Sequence, residues 1–72
     1  MKIIFTNHAK YRIMERGISV LLIKSVLKNS DSQIIDQYGM MIVRKIIGEK
    51  VIEVVYKISG SNYIIITAYY GN

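Results

Sequence analysis

The stretch RKIIGEKVIEVVYKISGSNYIIITAYY, Arg44 to Tyr70, decides the fold. It holds three runs rich in Ile, Val and Tyr, broken only at Gly48-Glu49 and at Gly60-Ser61-Asn62. β-Branched and aromatic runs punctuated by glycine favour strands joined by tight turns. Gly48-Glu49 fits a two-residue type II′ turn with glycine first, whose twist matches that of the strands it joins. That turn pairs Ile47 with Lys50, Arg44 with Glu53 and Met40 with Lys57. Because side chains alternate between faces, Ile52, Val54, Tyr56 and Ile58 form the apolar set. Val51, Glu53, Val55 and Lys57 form a mixed set that turns away from the core. Lys45 falls on the apolar parity, so it must snorkel past a sheet edge unless the register is wrong. The second loop fixes the last strand. If Gly60-Ser61-Asn62 is a three-residue loop, Ile64, Ile66 and Ala68 enter the core, and Tyr63, Ile65, Thr67 and Tyr69 join Arg44 and Glu53. A two-residue loop reverses this.

Working outward, the strands read as Gln33 to Gln37, Met40 to Ile47, Lys50 to Ile58 and Tyr63 to Tyr70, an antiparallel meander. Upstream the period changes. KIIF, Lys2 to Phe5, is too short and apolar for anything but a strand, and Thr6 or Asn7 can cap the helix that follows. That helix runs to about Arg16 and ends at Gly17. Ser19 caps a second helix, VLLIKSVLK, reaching Lys28 and Asn29. On a helical wheel Val20, Leu22, Ile23, Val26 and Leu27 share an apolar arc opposite Lys24, Ser25 and Lys28, while Leu21 sits near the polar side. The expected fold is therefore α+β. A short N-terminal strand and an α-hairpin pack on a four-stranded antiparallel sheet, with Leu22, Ile23, Val26, Leu27, Ile52, Val54 and Tyr56 inside. No repeat, low-complexity tract or linker divides residues 1–72, which read as a single domain.

Composition narrows the function. A chain of 72 residues buries only about 60% of its unfolded surface, so packing has to supply its stability. With 51% hydrophobic residues, no proline and no cysteine, the chain is neither disordered nor built on disulfides or zinc thiolates. A single histidine and scattered carboxylates give no metal-ligand spacing. The glycines stand singly, as turn residues do and nucleotide cradles do not, so no cofactor is expected. The longest apolar runs fall far short of the roughly 20 residues that span a bilayer, and no signal segment opens the chain. A cytoplasmic protein is the default. Ten Lys and Arg against five Asp and Glu give a net charge of +5 and a pI near 9.6, which favours RNA, DNA or an acidic protein as partner.

The segment HAKYRIMERGIS, His8 to Ser19, resembles the His-Ala-x-x-Arg-x-x-x-Arg-Gly-Ile-Ser motif of a small prokaryotic family placed among RelE-like toxin folds. The family's function is largely unassigned. The resemblance extends to the opening strand, the second helix after Ile18-Ser19, the basic strand at Arg44-Lys45 and the closing IIITAYY. It implies an α-hairpin on a four-stranded antiparallel sheet and, as in many relatives, metal-independent RNA cleavage, often on the ribosome and neutralised by an antitoxin.

Such cleavage asks little of a protein, because the RNA 2′-hydroxyl attacks the neighbouring phosphate once a base takes its proton. Cations must steady the charge growing on the phosphate, and an acid must protonate the leaving oxygen. The candidate catalytic residues are His8, Arg12, Arg44 and Tyr69. The candidate phosphate-binding residues are Arg16, Lys24, Lys28 and Lys57. Histidine is the side-chain type whose unperturbed pKa lies near neutrality, and His8, Arg12 and Arg16 recur on one helix face at four-residue spacing. Each has a plain structural counterpart. His8 can bond a backbone group in the first helical turn, and the two arginines can pair with Glu15, Asp31 or Asp36. Arg44 and Glu53 can be an ordinary cross-strand ion pair, and Tyr69-Tyr70 can be packing surface. The expected function is a toxin-like endoribonuclease, with a non-catalytic RNA- or protein-binding module of the same fold as the alternative. Expected partners are RNA, free or on the ribosome, an acidic antitoxin, and a second copy of the chain through an edge strand.

Overall fold

The computed structural model describes residues 2–71. Strand β1 (Ile3–Phe5) leads into helix α1 (Asn7–Glu15) and helix α2 (Val20–Lys28). Strands β2 (Ser32–Ile35), β3 (Met41–Ile47), β4 (Lys50–Ser59) and β5 (Asn62–Gly71) follow. Both helices lie on one face of the sheet, α1 over β5 and β1, and α2 over β4 and β3.

Each helix begins where the sequence provides an oxygen for its free N–H groups. The Thr6 hydroxyl accepts from the Ala9 N–H at 3.0 Å, and the Ser19 hydroxyl accepts from that of Leu22 at 3.0 Å. Thr6 also donates to the Ile65 carbonyl at 3.2 Å, tying the start of α1 to β5. Gly17, at φ 67°, ends α1, and the Ile18 N–H turns back to the Ile13 carbonyl at 2.8 Å. Ile13, Ile18, Ile23 and Val26 then meet Val43, Ile52, Val54, Tyr56, Ile65 and Ala68 in the core. Of the expected core, Leu22 and Leu27 pack partly buried at its margin. Val20, in the first turn of α2, stays exposed, and Leu21 is 78% exposed on the polar side.

The sheet has five strands and is mixed, in the order β1-β5-β4-β3-β2. The expectation of four antiparallel strands is corrected by β1, which joins β5 in parallel, Ile3 beside Tyr63 and Phe5 beside Ile65. Ile3 and Phe5 share the core parity of those partners, and β1 occupies an edge of β5 that would otherwise stand unpaired. Strand β2 stops at Ile35, because the Asp36 carboxylate accepts from the Tyr38 and Met40 N–H groups at 2.8 and 2.9 Å and turns the chain.

The hairpin register follows the Gly48-Glu49 turn, with Arg44 opposite Glu53 and Lys45 opposite Ile52. Lys45 does snorkel. Its Nζ donates to the Asn29 carbonyl at 2.8 Å, a cation placed at the C-terminus of α2. The last loop has two residues, since Ser59 pairs with Asn62, so Tyr63 and Ile65 face the core and Ile64 does not. A β-bulge then leaves Ile66 without a partner between the Tyr56–Ile65 and Val55–Thr67 pairs. The extra residue restores the other parity, so Ala68 is buried opposite Val54 and Tyr69 stands beside Glu53. Each loop length is thus correct for half of the strand.

Candidate functional site

On the face of the sheet away from the helices, three adjacent strands align one polar row: Arg44 on β3, Glu53 on β4 and Tyr69 on β5. The Arg44 Nε donates to Glu53 Oε1 at 2.8 Å, and a second N–H of the same guanidinium bonds the same oxygen. Glu53 is only 9% exposed although it lies on an open face. Its cover comes from its neighbours. Arg44 and Tyr69 flank it, and a side chain at Gly71 would begin 3.9 Å from its carboxylate. A hydrogen bond with the Tyr69 side chain, and then the bonds from Arg44, hold the Glu53 pKa below the usual carboxylate value against the opposing effect of burial. The same bond raises the Tyr69 pKa, and burial raises it further. The row at neutral pH is therefore guanidinium, carboxylate and neutral phenol.

A second guanidinium reaches this row from the helical layer. β1 ends at Phe5, so β5 beyond Ile65 has a free edge. Arg16, at the end of α1, takes the backbone oxygen presented there. Its Nη1 donates to the Ala68 carbonyl at 2.9 Å and to the Thr67 hydroxyl at 3.4 Å, close enough to Tyr69 to favour the phenolate and partly offset the rise in its pKa. Arg16 and Arg44 thus bracket Tyr69 and Glu53, and the four groups together carry one net positive charge. Beside them a shallow groove of about 150 Å³ is lined by Ser32, Ile34, Ile42, Arg44 and Glu53. With two guanidinium donors and a phenolic hydroxyl, the arrangement suits an oxyanion.

The other candidates lie elsewhere. His8 is exposed in the first turn of α1, two turns before Arg16 and so about 12 Å away along the helix. Arg12 turns to its own helix, donating to Glu15 at 3.0 Å and lying 5.8 Å over the Tyr11 ring. Lys57 shares the open face but pairs with Ile64, four residues along β4 from Glu53. Lys24 and Lys28 line a groove of about 320 Å³ with Ile3, Leu27 and Tyr63 on the helical side. Arg16, Arg44 and Tyr69 are therefore brought together, and the structure joins Glu53 and Thr67 to them. Glu53 was legible as the cross-strand partner of Arg44. Nothing local in the sequence marks Thr67. Among the described residues no three His, Cys, Asp or Glu side chains stand together as metal ligands.

Residues 5–70 match the family described as a domain of unknown function, DUF4258. The chain belongs to that family. No curated protein and no solved structure matches it. In this DUF4258 domain no helix among the described residues is long and apolar enough to cross a membrane.

Proposed function

We propose that this domain binds RNA through its basic surface. The observation that supports this is the state of its charges. Only Arg12 and Arg44 make ion pairs among the described residues, so eight of the ten Lys and Arg side chains have no carboxylate partner there. Unpaired cations are what a phosphate chain neutralises, with release of its counterions. Lys24 and Lys28 are the best placed, since Tyr63 lines the same groove, and single-stranded RNA favours lysines beside an aromatic residue. A domain of this kind works where RNA is, in the cytoplasm. The test is affinity for a short single-stranded RNA across a salt series. Affinity should fall steeply with salt, and the double variant Lys24→Gln, Lys28→Gln should flatten the logarithmic slope by about 1.4, two phosphates at about 0.7 each. Salt-independent binding would sink the proposal, and an unchanged slope would remove those lysines from it.

One observation favours cleavage as a second reading: Arg16 from the helical layer and Arg44 from the sheet stand on either side of Tyr69 and Glu53. In that reading the domain is a RelE-like, metal-independent endoribonuclease, acting free or on the ribosome and restrained by an acidic antitoxin. The two arginines would hold the phosphate, Glu53 would take the proton of the attacking 2′-hydroxyl, and Tyr69 would give its own proton to the leaving oxygen. Two features weigh against it. Glu53 is a weakened base, and His8 stands two helical turns away. Tyr69→Phe keeps the ring but removes the proton. If cleavage occurs there, this variant should lose about 100-fold or more in rate with RNA affinity unchanged. Wild-type protein that leaves RNA intact, with and without ribosomes, restricts the domain to binding.

A further inference from the structure

Strand β2 is an outer strand of the sheet, and although it is short, four residues, its sequence Ser32-Gln33-Ile34-Ile35 carries no lysine, no proline and no bulge to block pairing. All four residues are exposed, Ile34 to 60% and Ile35 to 67%. The Asp36 N–H bonds the Met40 carbonyl at 2.9 Å. By the alternation of an antiparallel ladder, Ile34 and Ser32 then spend their backbone groups on β3, while those of Gln33 and Ile35 point outward. We infer that this edge pairs with the same edge of a second copy about a two-fold axis at Ile34, joining two five-stranded sheets into one.

The register follows from which groups are free. Gln33 and the second copy's Ile35 exchange both backbone bonds, the symmetric pair does likewise, and Ile34 meets its own counterpart in the narrow non-hydrogen-bonded position between them. On the open face this continues the apolar row Val55, Ile42, Ile34 into its symmetry mate. Charge selects the occupant. Residues 29–43 contain two aspartates and neither lysine nor arginine, so in a chain of net charge +5 this edge attracts RNA least and is the place where a second copy brings no cation against another.

The chain has no cysteine, which allows a direct test of register. Counterparts at a non-hydrogen-bonded position lie about 4.5 Å apart between Cα atoms, within disulfide reach. Ile34→Cys should therefore cross-link to itself under mild oxidation. Ser32→Cys should not, because its counterpart is displaced by four residues, about 13 Å. Sedimentation of the unmodified chain, carried to about 1 mM so that even weak pairing is populated, should approach twice the 8.3 kDa monomer mass, and Ile34→Lys should abolish the increase while circular dichroism stays unchanged. In the wild type the Gln33 and Ile35 amides should exchange more slowly as protein concentration rises. A monomer throughout that range, equal cross-linking at Ser32, or association that leaves those two amides unprotected would each overturn the inference.

Discussion

Glu53 carries the pH dependence of the residue scale. Its pKa is lower in the folded chain than in the unfolded one, because Tyr69 and Arg44 bond its charged form. Its contribution to stability is therefore complete above the unfolded value, near 4.5, and is lost as pH falls through the folded value. Tyr69 and Tyr56 act at the other end. Their folded pKa values are raised, Tyr69 chiefly by Glu53 and Tyr56 chiefly by burial, so their contribution is complete below about 10 and is lost as pH rises through the folded values. Thermal melting followed across pH should show a plateau through neutrality with an acid and an alkaline limb. Glu53→Gln should make the acid limb shallower; an acid limb of unchanged slope would mean that the row contributes no pH-linked stability. The Arg44–Glu53 pair was readable because one glycine-first turn fixes both positions. The fate of Lys45 was readable only as a dilemma, since the carbonyl that resolves it belongs to Asn29, 16 residues away. Arg16 was readable as a cation and not as a ligand of Ala68, which depends on β1 ending at Phe5.

Elements are joined here by small polar contacts whose removal can be ranked. Thr6 caps α1 and also bonds the Ile65 carbonyl, whereas Ser19 caps α2 alone. Ser19→Ala should cost about 1 kcal/mol. Thr6→Ala should cost about 1 kcal/mol more, because the link to β5 is lost as well. In a domain of this size each kcal/mol lowers the melting temperature by about 4–8 °C. Equal losses in denaturant titrations would show that the bond to Ile65 adds nothing. The two helices, their caps and three of the strand pairings were legible because each rests on a local signal: an oxygen at the first turn of each helix, a glycine after α1, an apolar arc along α2, and glycine-containing turns between strands. The two-residue loop was also within reach, as Gly60-Ser61 repeats the glycine-first pattern of Gly48-Glu49, both glycines having φ 62°. The bulge was not. Tyr63 to Ile66 is uniformly apolar, and such a run carries no alternation to mark which residue is out of phase. The same uniformity in KIIF hid which edge β1 would choose.

For the whole molecule the net charge of +5 acts on stability and on binding with opposite signs. Eight cations without carboxylate partners among the described residues repel one another more strongly in the compact state than in the expanded chain, so self-repulsion works against folding. Among the described residues, the Arg12–Glu15 and Arg44–Glu53 contacts are the ion pairs that oppose it. Arg12–Glu15 is solvent-exposed and so worth little, and Arg44–Glu53 is partly shielded from added salt by the burial of its carboxylate. Raising the ionic strength from about 0.01 M to about 0.15 M shortens the Debye length from roughly 30 Å to roughly 8 Å, well below the 34 Å long axis of the chain. Repulsion between distant lysines is thereby screened while the contact pair at Glu53 is largely kept. The melting temperature should therefore rise over the same interval in which RNA affinity falls. Melting and RNA titration in matched buffers check both signs at once. A melting temperature that drops with salt would mean that attractive pairs, and not the excess of cations, govern this fold; the charge argument for RNA would then lose its basis. A rise accompanied by salt-insensitive RNA binding would keep the excess charge and move the RNA contact to the apolar sheet face.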